Sequence, residues 1–196
     1  MTKTRLEAFS DGVLAVIITI MVLELKVPHG VGFEALKALS PIFLSYVLSF
    51  IFIGIYWNNH HHMLHAVERV NGAILWANLH LLFWLSLVPF TTSWLNESAY
   101  APTPVAVYGV VLFMSGVAYY ILSRALIGLH GNESLLARAV GSDAKGIASL
   151  VIYAAAILLA LFLPYASMVL YAVVAAMWHI PDRRIERVLG AYSKPE

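Results

Sequence analysis

Hydrophobic positions in this chain form long, almost unbroken runs separated by short polar stretches. Six such runs can be marked, at about 8–25, 40–57, 73–94, 105–126, 147–163 and 165–180. Most have the roughly 17–25 residues that a helix needs to cross the hydrocarbon core of a bilayer. The second run opens on Ser40-Pro41, a capping residue followed by proline at the first helical position. Pro89 inside the third run predicts a kink. Gly109 and Gly116 in the fourth allow close helix packing. The last two runs are short and parted by Pro164, which leaves a tight hairpin or one long kinked helix. Together they cover about 34 positions, twice one crossing, which favours two helices. The pattern predicts an all-α, polytopic membrane protein with six transmembrane helices over 1–181. A short cytoplasmic tail over 182–196 follows, with a helical stub at 183–192.

Composition strengthens the membrane reading. The chain is 61% hydrophobic and 12% charged, about half the charged share of a soluble domain, and its mean hydropathy is +0.80. A net charge of +1 gives no electrostatic footprint for nucleic acid. The absence of cysteine excludes disulfides, thiolate catalysis and cysteine-ligated metals. The first apolar run is too long for a cleavable signal and no small-residue cleavage site follows, so it reads as a retained span. With six crossings, one side carries Lys3, Arg5, Arg69, Arg124, Arg138, Lys145, Arg183, Arg184, Arg187 and Lys194, against Lys26 and Lys37 on the other. That asymmetry places both termini in the cytoplasm of a multi-pass cell-membrane protein. Trp57, Trp94, Tyr100, Tyr165 and Trp178 fall near span ends, as aromatic belts do.

The first run is entered through a polar cluster, Arg5-Leu6-Glu7-Ala8-Phe9-Ser10-Asp11-Gly12-Val13. A carboxylate at the mouth of a span is costly and marks a role. At 100° per residue, Phe9, Gly12, Val16, Ile20, Leu23 and Val27 fall on one line, with Thr19 to one side and Asp11 nearly opposite. This stripe could face lipid, a neighbouring helix or a pore, and wheel geometry alone does not choose. Facing a pore, rings of Val16, Ile20 and Leu23 would make a hydrophobic constriction that gates by dewetting. Asp11 needs a partner inside the protein or in water. Trp57, Asn58, the histidines 60–62, Asn78 and His80 lie at similar depth, so a network pinning the first helix to the second and third is expected. Glu24 stands at the far end of the first span, either collecting cations or snorkelling.

His61 and His65 share a helix face four residues apart, but no acidic or cysteine ligand is spaced to complete a metal site. Bis-histidine haem needs deep histidines on two spans, and only His80 is deep. No metal and no cofactor is expected, and no nucleophile motif suggests an enzyme. A secondary transporter remains as an alternative, although no internal repeat or midplane coupling residue is evident; a membrane haem or metal protein is a weaker one.

The opening R-x-x-x-F-S-D-G-V, with Ala15, Thr19 and Glu24 after it, resembles the transmembrane protein 175 family, the lysosomal potassium channels and their prokaryotic relatives. Trp57-Asn58-Asn59-His60-His61, the Asn71…Asn78 stretch and Pro89-Phe90 extend the match. The resemblance implies a single-repeat prokaryotic member: a homotetramer in the lipid bilayer whose first helices line a central pore for potassium and other monovalent cations. The T-V-G-Y-G filter is absent. By position, Val16, Ile20 and Leu23 would be the constriction layers and Thr19 a hydroxyl ring tied to cation preference. Arg5, Phe9, Ser10 and Asp11 would form the anchor network, with Trp57, Asn58, His61 and Asn78 as its partners. Val16 departs from the bulkier residues common at that layer, which implies a leakier or less selective ring.

Overall fold

The computed structural model describes residues 2–28, 30–141 and 143–179. Among them all regular structure is helical: α1 (Lys3–Leu23), α2 (Phe33–Ala38), α3 (Ser40–His65), α4 (Gly72–Ser86), α5 (Val88–Glu97), α6 (Pro102–His130), α7 (Leu135–Val140), α8 (Ala144–Ala160) and α9 (Pro164–His179). Four segments are long and apolar enough to cross a membrane: Lys3–Leu23, Ser40–His65, Gly72–Glu97 and Pro102–His130. The helices α8 and α9, at 17 and 16 residues, are apolar but shorter. The tail over 182–196, with its stub at 183–192, lies outside the described residues.

Local chemistry sets the boundaries. Pro41 sits in the first turn of α3, where its missing N–H has no intrahelical partner to lose. No glycine or proline follows Trp57 until after His65, so α3 continues two turns past the apolar run, and the histidines lie on the helix rather than beyond it. The Asn71 side chain accepts the Ile74 N–H at 3.0 Å and starts α4. Pro89 cannot donate to the carbonyl of Leu85, and the third span breaks at Leu87 into α4 and α5. Gly131, at φ 88°, ends α6 in a conformation that costs other residues dearly. Only residues 161–163 separate α8 from α9, and Pro164 opens α9 instead of bending a continuous helix. The two helices pack on each other as separate elements.

The 29-residue α6 is the axis of the fold. Its C-terminal half packs on α4 and α7 and shares with α1 and α3 an apolar cluster around Leu64, Ile74, Leu81 and Leu122. Its N-terminal half packs with α3, α5, α8 and α9 around Tyr108, Leu112, Ala156 and Tyr171. Lipid tails are as apolar as leucine, so close packing and interhelical hydrogen bonds hold such helices together. Both devices are present. Gly109 gives room to Tyr171 and Ile157, which press against it, and Ser49 bonds both Thr92 at 2.8 Å and Tyr108 at 3.0 Å, tying α3 to α5 and α6. By contrast, α1 lies at the edge of the fold, touching α3, α4 and α5 with one face.

Candidate functional site

The buried face of α1 is Leu6, Ser10, Leu14, Ile17 and Met21, at the i, i+4, i+7 spacing of a single helical stripe. The stripe of Phe9, Val16, Ile20 and Leu23 points away from the core, with Val16 56%, Ile20 43% and Leu23 80% exposed. Asp11 is also exposed. Sequence geometry contrasts an apolar face with a carboxylate face; the structure adds a third face between them and turns it to the core. Ser10 is on that core face and fully buried. Thr19 is exposed and its hydroxyl donates to the Val16 carbonyl at 2.9 Å, which satisfies the proton and leaves oxygen lone pairs outward.

Two separate polar links join α1 to its neighbours. The buried one is a chain of donors: the His60 Nε2–H donates to Asn78 Oδ1 at 2.7 Å, Asn78 Nδ2 donates to Ser10 Oγ at 3.0 Å, and Ser10 Oγ donates to the Leu6 carbonyl at 2.8 Å. All three side chains are buried, so each depends on the others for its hydrogen bonds. The exposed link is the Trp57 indole N–H, donating to Asp11 Oδ1 at 3.0 Å. His61 does not reach Asp11. Its ring lies over Trp57 at 6.1 Å and 25°, and over His65 at 6.0 Å and 14°. His80 accepts from Trp84 at 3.0 Å. Arg5, Phe9 and Asn58 are exposed and take no part in either link among the described residues.

His60 is the member that sequence reasoning undervalued beside His61. The signal was helical phase. Ser49, Ile53, His60 and Leu64 form one buried stripe along α3, whereas Trp57, His61 and His65 form the exposed one. Once α3 is continued past Trp57, the stripes assign themselves.

At its other end α1 is held by Glu24, whose Oε2 accepts from Ser93 Oγ at 2.8 Å. Between the two ends runs a wide groove of about 1010 Å³, walled on one side by Phe9, Gly12, Val16 and Ile20 and on the other by Ser86, Pro89, Phe90 and Ser93. The break at Leu87 brings the start of α5 to this groove. Among the described residues no three histidine, aspartate or glutamate side chains converge as metal ligands.

Comparison with known proteins covers this part of the chain and extends to nearly all of it. The family described as endosomal/lysosomal potassium channel TMEM175 matches residues 5–89. A Chryseobacterium protein named as a potassium channel is 54% identical over 189 residues, spanning 96% of this chain and 98% of its own. The human endosomal/lysosomal proton channel TMEM175 is 29% identical over 153 residues, 69% of this chain but 30% of that longer protein. The crystal structure of a lysosomal potassium-selective channel TMEM175 homologue from Chamaesiphon minutus superposes with a TM-score of 0.79 at 29% identity, covering 91% of this chain and 96% of that one.

Proposed function

Because this chain belongs to the TMEM175 family, we propose that it forms a potassium-permeable cation channel in which copies of α1 surround the ion path. The observation that carries this reading is the outward face of α1. Val16, Ile20 and Leu23 stand in line, unpacked by their own protomer, in a chain matched end to end by a protein named as a potassium channel. Four copies around an axis would stack these side chains into apolar rings. Such rings pass ions only when wetted, and so set a barrier that widening or a polar substitution lowers. Thr19 would contribute a ring of hydroxyl oxygens between the layers of Val16 and Ile20. Four hydroxyls and pore water replace only part of a hydration shell, so potassium should be preferred over sodium incompletely.

The remainder of the protomer then acts as a frame. Six crossings, counting the shorter α8 and α9, bring both termini to the cytoplasmic side, in keeping with the ten-to-two basic asymmetry. The Ser10–Asn78–His60 chain and the Trp57–Asp11 bond fix the cytoplasmic end of α1, while Glu24–Ser93 fixes the other. These groups position the pore helix without touching the ion. Reconstituted in a planar bilayer under opposed potassium and sodium gradients, the purified protein should give a reversal potential displaced toward, but short of, the potassium value. A flux that saturates and requires a second, coupled ion would replace the channel with a transporter.

A further inference from the structure

A second cavity lies away from α1, enclosed by α3, α6, α8 and α9. It shares no lining residue with the groove beside α1. Its walls are aromatic: Tyr56, Tyr119, Tyr120, Tyr153 and Trp178. One carboxylate, Asp143, stands at its edge. From these walls and this charge we infer that the cavity is a binding site for the head of a small primary ammonium ion.

Four observations support the assignment. Aromatic rings attract a cation through their negative faces, most strongly where water is excluded. Tyr153 lines the cavity, and its hydroxyl makes no hydrogen bond with another described residue, which leaves it open to a partner in the cavity. A bound N–H would supply that hydrogen bond. Asp143 caps α8 through one oxygen, accepting the Gly146 N–H at 3.2 Å, and forms no ion pair with a described residue. Burial pushes its carboxyl above the usual range, against the lowering effects of the Gly146 amide and of Arg124. Finally, the two basic side chains nearby do not line the cavity. Arg124 lies over the Tyr120 ring at 5.0 Å and Lys145 over the Trp178 ring at 4.8 Å, and among the described residues Asp143 is the only carboxylate or basic side chain that lines the cavity.

The enclosed volume is about 50 Å³. That exceeds what a single water needs and suits an ammonium head with one or two carbons. Glycine shapes two of the walls. A Cβ at 146 would collide with the Asp143 carboxylate, and one at 116 would enter the space between Leu150 and the Tyr56 hydroxyl.

The test is saturation-transfer NMR on the full chain in nanodiscs, titrated with ethylammonium in constant potassium chloride, with ethanol as the neutral counterpart. Ethylammonium should bind saturably in the millimolar range and ethanol should not. Asp143→Asn keeps a good helix cap that tolerates the left-handed backbone at this position (φ 46°), and should weaken binding about tenfold or more. Gly116→Val should fill the cavity and remove binding. Equal binding to wild type and Asp143→Asn, equal binding of ethanol, or no saturable ethylammonium binding would each overturn the assignment. Because Asp143→Asn preserves the cap, the result stands even where Gly116→Val fails to fold.

Discussion

Removing Asn78 tests whether the first helix is pinned to the third span by a connected chain of hydrogen bonds or merely lies beside it. Asn78→Ala deletes two bonds at once, the one from His60 at 2.7 Å and the one to Ser10 at 3.0 Å. It also leaves the His60 Nε2 proton buried without an acceptor. A lost buried bond is worth about 0.5–1.5 kcal/mol and an orphaned buried group about 1–3 kcal/mol, so the single variant should lose about 2–4 kcal/mol. Ser10→Ala removes only the acceptor of Asn78 Nδ2 and the back-bond to Leu6, and should lose about 1–2 kcal/mol. The decisive quantity is their coupling. In the double variant the Ser10–Asn78 bond is already gone, so the combined loss should fall short of the sum by about 0.5–1.5 kcal/mol. Reversible unfolding of the four proteins in mixed micelles measures it. Losses that add within about 0.3 kcal/mol would refute the chain, since residues 68 positions apart in sequence couple only through contact.

Other expectations follow from single contacts. Ile20→Asn and Leu23→Asn each place a polar group on the outward stripe, and should raise ion flux into liposomes several-fold by making the ring easier to wet; unchanged flux in both would argue against a constriction there. Gly109→Ala drives a methyl into the Tyr171 hydroxyl and Ile157 and should cost about 1–3 kcal/mol, read as a lowered melting temperature that Tyr171→Phe partly restores by removing the oxygen. Asp143 titrates higher in the fold than in the unfolded chain, so its contribution to stability is present at acid pH and is lost as pH rises through its folded value. Asp143→Asn should therefore flatten the fall in stability on the acid side of neutrality, and an unaltered pH profile would contradict this.

Much of the fold was legible because a bilayer permits few ways to satisfy a backbone. Uninterrupted apolar runs announce helices, and proline punctuates them: Pro41 and Pro164 each open a helix, and Pro89 breaks one. The limits were less legible. Asn58–His65 is polar, and hydropathy ends the second span at Trp57, yet nothing in that stretch stops the backbone from continuing to His65. That shift moved His60 into the core and left His61 stacked at the surface. The polar cluster at the start of α1 could be recognised as needing partners on the second and third spans, but its wiring could not. Whether Asp11 meets Trp57 or a histidine depends on the rotation of α1 against α3, which packing of Leu14, Ile17 and Met21 sets and no local pattern encodes. The aromatic cavity was invisible because its walls come from four helices scattered between residues 52 and 178.

The chain contains no cysteine, so single cysteines can be placed along α1 without any background thiol. Recording current through Val16→Cys, Thr19→Cys, Ile20→Cys and Leu23→Cys, with Trp76→Cys as an outward control on α4, asks directly whether the stripe borders the ion path. A water-soluble, positively charged thiol reagent should block current in the α1 variants, Leu23→Cys from the non-cytoplasmic side first, and leave Trp76→Cys unaffected. Full current in every α1 variant after modification, or thiols reached only by lipid-soluble reagents, would show that this face lies against lipid and that ions pass elsewhere.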